Sequence, residues 1–111
     1  MTMLVVYTTL PEAESARHMA QMLVERGLVA CAQMDTIDSI YRWDGAIQHD
    51  HEHRLMLKTT SDRYPAVEAF IREHHPYELP AIYAIPVTHA WAPYAEWVAG
   101  QAEGSGGTRG S

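Results

Sequence analysis

Leu4-Val5-Val6-Tyr7-Thr8 is a short apolar, β-branched run and predicts a buried strand. Pro11 suits the first turn of a following helix, where its missing N–H costs nothing. Glu12 and Glu14 lie where a helix dipole favours carboxylates. Ala13, Ala16, Ala20, Leu23 and Val24 recur at helical spacing, and Gly27 ends that helix as a C-terminal cap. Leu28 to Trp43 has strand character, with its alternation broken near Asp35, which predicts a bulge or bend. Asp44-Gly45 is a two-residue hairpin turn, because a type I′ turn needs positive φ at both positions. Ala46 to Thr60 returns as a second long strand.

Ser61 is placed to cap a second helix, with Tyr64, Val67, Phe70, Ile71 and His74 along its apolar stripe. Pro76 ends this helix at His75, since the residue before a proline avoids helical geometry. Ala81 to Val87 predicts a fourth strand. Pro86 removes a ladder donor there and argues for an edge or a bulge. Trp91 to Ala99 predicts a short terminal helix carrying Trp91, Tyr94 and Trp97.

The order β-α-β-β-α-β plus a short helix is the split βαβ, or ferredoxin-like, α+β arrangement: one antiparallel sheet with helices on one face. Residues 1–103 form that domain, and 104–111 are a Gly/Ser tail, read as a flexible remnant of cloning and excluded from the fold. Both hairpin arms exceed the common strand length of about five or six residues. Two short helices cannot cover arms of that length, so part of the hairpin requires another partner.

A chain of 111 residues buries only a modest share of its surface alone, which makes subunit contacts a plausible extra source of stability. Its formal net charge is −6, with Lys58 as the single lysine and no basic cluster on any predicted element. Counterion release needs such a surface, so nucleic acid and anionic membranes are not expected partners. Cys31 is the only cysteine and cannot form an internal disulfide. The first ten residues lack the basic and apolar regions of a signal peptide, and no apolar run approaches a membrane span, so the expected compartment is the cytoplasm.

Six segments follow one another in an order and spacing that resemble the CutA family of divalent-cation tolerance proteins. They are Thr8-Thr9-Leu10-Pro11, Leu28-Val29-Ala30-Cys31, Ser39-Ile40-Tyr41-Arg42-Trp43-Asp44-Gly45, Leu57-Lys58-Thr59-Thr60, His75-Pro76-Tyr77-Glu78-Leu79-Pro80 and the pair Tyr94 and Trp97. The resemblance covers residues 4 to 98. It implies a tight homotrimer similar to the PII signalling proteins, in which the long hairpin pairs with neighbouring copies. Three departures stand out. Residues 33–38 are one residue shorter than the family segment and lack its Pro-Gly, Ala81 replaces an acidic residue bordering the inter-subunit cleft, and Ala90 replaces a glycine.

Imidazole is the commonest protein ligand for copper and zinc, which makes His74 and His75 the first metal candidates. The resemblance implies copper or another divalent metal there, with a cysteine at the position of Thr8 in some members; its absence weakens a soft Cu(I) site. Adjacent helical residues also diverge by about 100°, against chelation of one ion by both. The competing assignment has His75 hydrogen-bonded at a helix end and His74 packed. His49, His51 and His53 alternate along a strand, so all three share one face and form a second metal candidate, with a solvated strand end as the alternative; Asp50, Glu52 and Arg54 face the other way. Cys31 belongs to the family pattern and reads as a buried, inert thiol.

By the same resemblance Tyr41, Trp43, Lys58, Tyr77 and Glu78 border the inter-subunit ligand cleft; interface packing explains the aromatics equally well. Trp91 and Trp97 read as core or interface residues. No Gly-x-Ser-x-Gly or phosphate-binding loop occurs, and the chain has no asparagine for the water-positioning role of acylphosphatases, which share this strand order. The expectation is therefore a non-enzymatic protein. Three roles remain open: a metal-binding tolerance scaffold, a PII-like small-ligand sensing module, or a structural trimer that organises another protein.

Overall fold

A computed structural model describes residues 2–103. The tail at 104–111 lies outside the described residues. The elements are β1 (Met3–Leu10), α1 (Ala13–Glu25), β2 (Cys31–Trp43), β3 (Ala46–Thr60), α2 (Tyr64–His74), β4 (Tyr83–Pro86) and α3 (Ala92–Gln101). All strand pairs are antiparallel, in the order β2-β3-β1-β4. This is the ferredoxin-like arrangement expected from the residue pattern.

Strand parity decides which side chains reach the core. Val6, Thr8 and Leu10 of β1 pack beside Leu55 and Leu57 of β3, and all five are fully or almost fully buried. The same core takes Ala16, Met19 and Leu23 from α1 and Val67, Phe70 and Ile71 from α2. Each such aliphatic side chain contributes roughly 1.5–3 kcal/mol through removal from water. Tyr7, Thr9, Arg54 and Glu52 point to the opposite face of the sheet, because successive strand residues alternate.

The turns follow their local chemistry. Asp44 and Gly45 have φ of 57° and 80°, as the type I′ turn requires, and Trp43 pairs with Ala46 across it. At the end of α1, Gly27 adopts φ 68°, while its N–H donates to Val24 and that of Leu28 to Leu23, both at 3.0 Å. These two bonds are the Schellman pattern and satisfy carbonyls that the helix leaves open. His75 is extended (φ −86°, ψ 139°) and ends α2 just before Pro76.

Several expectations are corrected. There is no bulge near Asp35: the β2–β3 register runs unbroken from Cys31 opposite Lys58 to Trp43 opposite Ala46. Asp35 breaks the apolar alternation because it sits opposite Arg54, which donates to its two oxygens at 3.1 and 2.7 Å. Leu28 to Ala30 is buried but precedes β2, since Leu28 and Val29 bond back to Leu23. Pro11 lies before α1 rather than in its first turn. Ser61 opens a turn, its hydroxyl accepting from the N–H of Thr2, and α2 starts only at Tyr64, with Pro65 in its first turn. β4 is shorter than predicted, but it is an edge strand, which accommodates Pro86. Cys31 is half-buried rather than buried, because odd positions of β2 face away from the helices. Trp91 is 77% exposed and Trp97 46%, which removes the core from the expectation of core or interface and leaves the interface.

Candidate functional site

β1 pairs with β3 only from His53 to Thr60, so the outer hairpin, residues 37–52, is two-stranded. Glu52 sits at this boundary, on the face away from the helices. The residue is 6% exposed, and its carboxylate accepts three hydrogen bonds from hydroxyls. Ser39 donates to Oε1 at 2.7 Å; Tyr77 and Thr9 donate to Oε2 at 2.9 and 3.3 Å. A buried carboxylate is tolerated only with such partners.

The segment after α2 brings Tyr77 there, and His75 holds that segment in place. Its Nε2–H donates to the Thr9 carbonyl at 2.7 Å, and its Nδ1 accepts from the Tyr77 N–H at 3.1 Å. The ring packs against Tyr77 with centroids 4.9 Å apart. Burial pushes the His75 pKa below the ordinary imidazole value, against the smaller opposing effects of the Thr9 carbonyl and Glu52. Burial and then the hydrogen bond to Glu52 push the Tyr77 phenol well above its usual value. Nearer the hairpin tip, Tyr41 donates to Asp50, which raises the Tyr41 pKa.

Glu52, Ser39 and Thr9 line an open concavity of about 780 Å³ between the hairpin and the segment that starts at Pro76, with Tyr7, Tyr41, Trp43, Tyr77 and Glu78 in its walls. Tyr7 stacks on Tyr83 at 5.3 Å, and the Arg54 guanidinium lies 5.9 Å from the Tyr7 ring centre. Four of the five cleft residues expected from the sequence are therefore together in one chain. Lys58 is not among them. It lies opposite Val5 and Cys31, twelve strand positions from the residue paired with Trp43, or about 40 Å along the ribbon, and it donates to Gln33 at 2.6 Å.

His74 and His75 do not converge. The His74 Nδ1–H donates to the Phe70 carbonyl at 2.9 Å and its ring stacks on Phe70 at 4.1 Å. His75 has both nitrogens engaged by the backbone. Thr8 is fully buried in the core, and its Oγ1 has no hydrogen-bond partner. Among the described residues no group of three or more His, Cys, Asp or Glu side chains is arranged to hold a metal ion. The residues at Thr8, His74 and His75 therefore do not fit a metal in this conformation. His49, His51 and His53 do share one face of β3, as their alternation predicts, and Asp50, Glu52 and Arg54 share the other.

The sequence pattern did not single out Glu52. The signal for it was present: three charged residues at 50, 52 and 54 on one face of an inner strand need a polar cover, and the tyrosine-bearing segment after α2 supplies it.

Comparison with known proteins agrees with this architecture. Residues 4–101 match the family model described as CutA1 divalent ion tolerance protein. The chain is 40% identical over 93 residues to Protein CutA of Mus musculus, covering 83% of this chain and 52% of that protein. It thus spans about half the length of that relative. It is 38% identical over 96 residues to the divalent-cation tolerance protein CutA of Pyrococcus horikoshii, covering 86% of this chain and 94% of that one. Among solved structures, CutA1 of Shewanella sp. SIB1 superposes with a TM-score of 0.88 at 36% identity, covering 92% of this chain and 96% of that chain. The periplasmic divalent cation tolerance protein CutA from Archaeoglobus fulgidus superposes with a TM-score of 0.89 at 30% identity, covering 91% of this chain and 99% of that chain.

Proposed function

The chain belongs to the CutA1 divalent ion tolerance family, and from that premise we propose that it is a non-enzymatic, cytoplasmic homotrimer whose working site is the cleft over Glu52, completed by a neighbouring copy and occupied by a small ligand. The observation that carries this reading is the Glu52 cluster: a buried carboxylate with three hydroxyl donors, walled by aromatics and open on one side. A few convergent polar groups among aromatic walls are what a small-molecule site needs.

Support for a neighbouring copy comes from the same hairpin. Ile40 and Ile47 are 68% and 52% exposed on its two strands, and nothing in one chain covers them. An apolar ribbon without a cover favours association. The alternative in which His74 and His75 bind copper draws no support from their geometry, since both His75 nitrogens are committed to backbone partners.

Light scattering at micromolar concentration tests the assembly, and three chains of 12.5 kDa each are expected. Thermal shift against a panel of small metabolites, repeated with Trp43→Ala, tests the cleft. A compound that raises the melting temperature of the parent but not of the variant supports the reading. A monomer, or a panel without a single Trp43-dependent shift, overturns it.

A further inference from the structure

We propose that His51 and His53, with Asp38 as a supporting group, form a binding site for a borderline divalent transition metal, Zn²⁺ or Cu²⁺, on the helix-side face of the hairpin. This site is separate from the cleft, because Glu52 lies between the two histidines and points to the opposite face.

Three observations converge. The ring centroids of His51 and His53 are 5.8 Å apart. Two imidazoles bound to one tetrahedral ion at about 2.1 Å would have centroids about 5.3 Å apart, so the observed spacing is already close to that of a chelate. Asp38 stands directly opposite His51 in the register, and its Oδ1 is 3.0 Å from His51 Nδ1. With Nδ1–H donated to the carboxylate, the Nε2 lone pair of His51 is left for a metal. A carboxylate behind a ligating histidine fixes its tautomer and raises its basicity. The His53 Nδ1 is buried and has no hydrogen-bond partner. A buried polar atom without a partner is costly to keep, and the fold makes no use of this one. That nitrogen is closed to an ion as it is to water, so the ring offers a metal its other nitrogen, Nε2.

Imidazole nitrogens select zinc and copper over magnesium and calcium, which prefer oxygen ligands. The His51 side chain is 63% exposed in the single chain, so water can complete the coordination shell, and because Ile40 and Ile47 lie further along the same face, a neighbouring copy that covers them borders the site. Two protein ligands rather than three make the site open and exchangeable, as suits a metal that is taken up and released.

Tag-free full-length protein titrated with ZnCl₂ by calorimetry should bind one ion per chain. His51→Ala and His53→Ala should each weaken binding at least tenfold, and Asp38→Asn by about 10- to 100-fold. His18→Ala removes an exposed histidine on α1 and should change nothing. Electron paramagnetic resonance of the Cu²⁺-loaded protein should show two coupled imidazole nitrogens, falling to one in His51→Ala. Circular dichroism checks that each variant is folded; if His53→Ala is not, His51→Ala and Asp38→Asn decide the question. Binding unchanged in His51→Ala, or a Cu²⁺ spectrum without two coupled nitrogens in the parent, overturns the proposal.

Discussion

Removing the Tyr77 hydroxyl tests whether Glu52 organises the cleft. In Tyr77→Phe the Oε2 atom of Glu52 loses its donor at 2.9 Å and keeps only Thr9 at 3.3 Å, while Oε1 retains Ser39 at 2.7 Å. A hydrogen bond to a charged group is worth about 1.5–3 kcal/mol. Tyr77 is only half-buried, so water replaces part of the loss, and about 1.5 kcal/mol is expected. Glu52→Gln turns one acceptor into an amide donor facing two hydroxyls, which must then rotate to accept; about 1–2 kcal/mol is expected from the weaker, neutral bonds. The two losses involve the same bond, so they should not add. The double variant should be less damaged than the sum of the singles by about 1 kcal/mol, against an additivity error of about 0.3–0.5 kcal/mol for independent sites. Guanidinium denaturation at one fixed protein concentration measures this, because an oligomer's stability depends on concentration. Additivity within that error would mean that the carboxylate and the phenol act independently, and the cleft would lose its organising group.

Stability should fall on acidification through His75. Its pKa is depressed in the folded chain, so below the unfolded value of about 6.5 the unfolded state binds the extra proton and is favoured. The stabilisation is complete above that pH and is lost as pH drops from there towards the folded value, with a slope of at most about 1.4 kcal/mol per pH unit. Denaturation midpoints of the parent and His75→Gln between pH 7.5 and 5 should diverge most at neutral pH; parallel curves would contradict this account. Thr8→Val should stabilise the protein by about 1 kcal/mol, since it replaces a fully buried hydroxyl lacking a partner with a methyl group of similar shape. A lower thermal midpoint in the variant would mean that the hydroxyl is satisfied after all.

Local punctuation made most of the fold legible. Gly27, Asp44-Gly45 and Pro76 each force a backbone state that only one kind of chain reversal or helix end accommodates, and all three act where the sequence places them. Features that depend on partners distant in sequence were harder to read. Asp35 resembled a break in a strand because its partner, Arg54, is nineteen positions away. Ser61 resembled a helix cap because its hydroxyl's actual partner, the N–H of Thr2, belongs to the other end of the chain. Lys58 belongs to the same run of family segments as the cleft residues but lies far from them within one chain, since distance along a ribbon is invisible to motif order. Glu52 lay hidden between two histidines that drew attention to the opposite face.

That last pairing ties both candidate sites to one structural fact. β3 carries His51 and His53 on one face and Asp50 and Glu52 on the other, and a strand's side-chain period is two. A slip of β3 by one residue in the β2–β3 register would exchange its faces, turning Asp50 and Glu52 to the helix side and the histidines, together with Leu55 and Leu57, into the cleft. Beyond the end of β1 no third strand among the described residues holds this register. What holds it is the two-residue turn at Asp44 and Gly45 together with the cross-strand partners Asp35–Arg54, Asp38–His51 and Ser39–Glu52. The polar pairs that make the outer hairpin chemically distinctive are therefore also the pairs that keep it in register. For that reason the sites on both faces rely on the same few contacts.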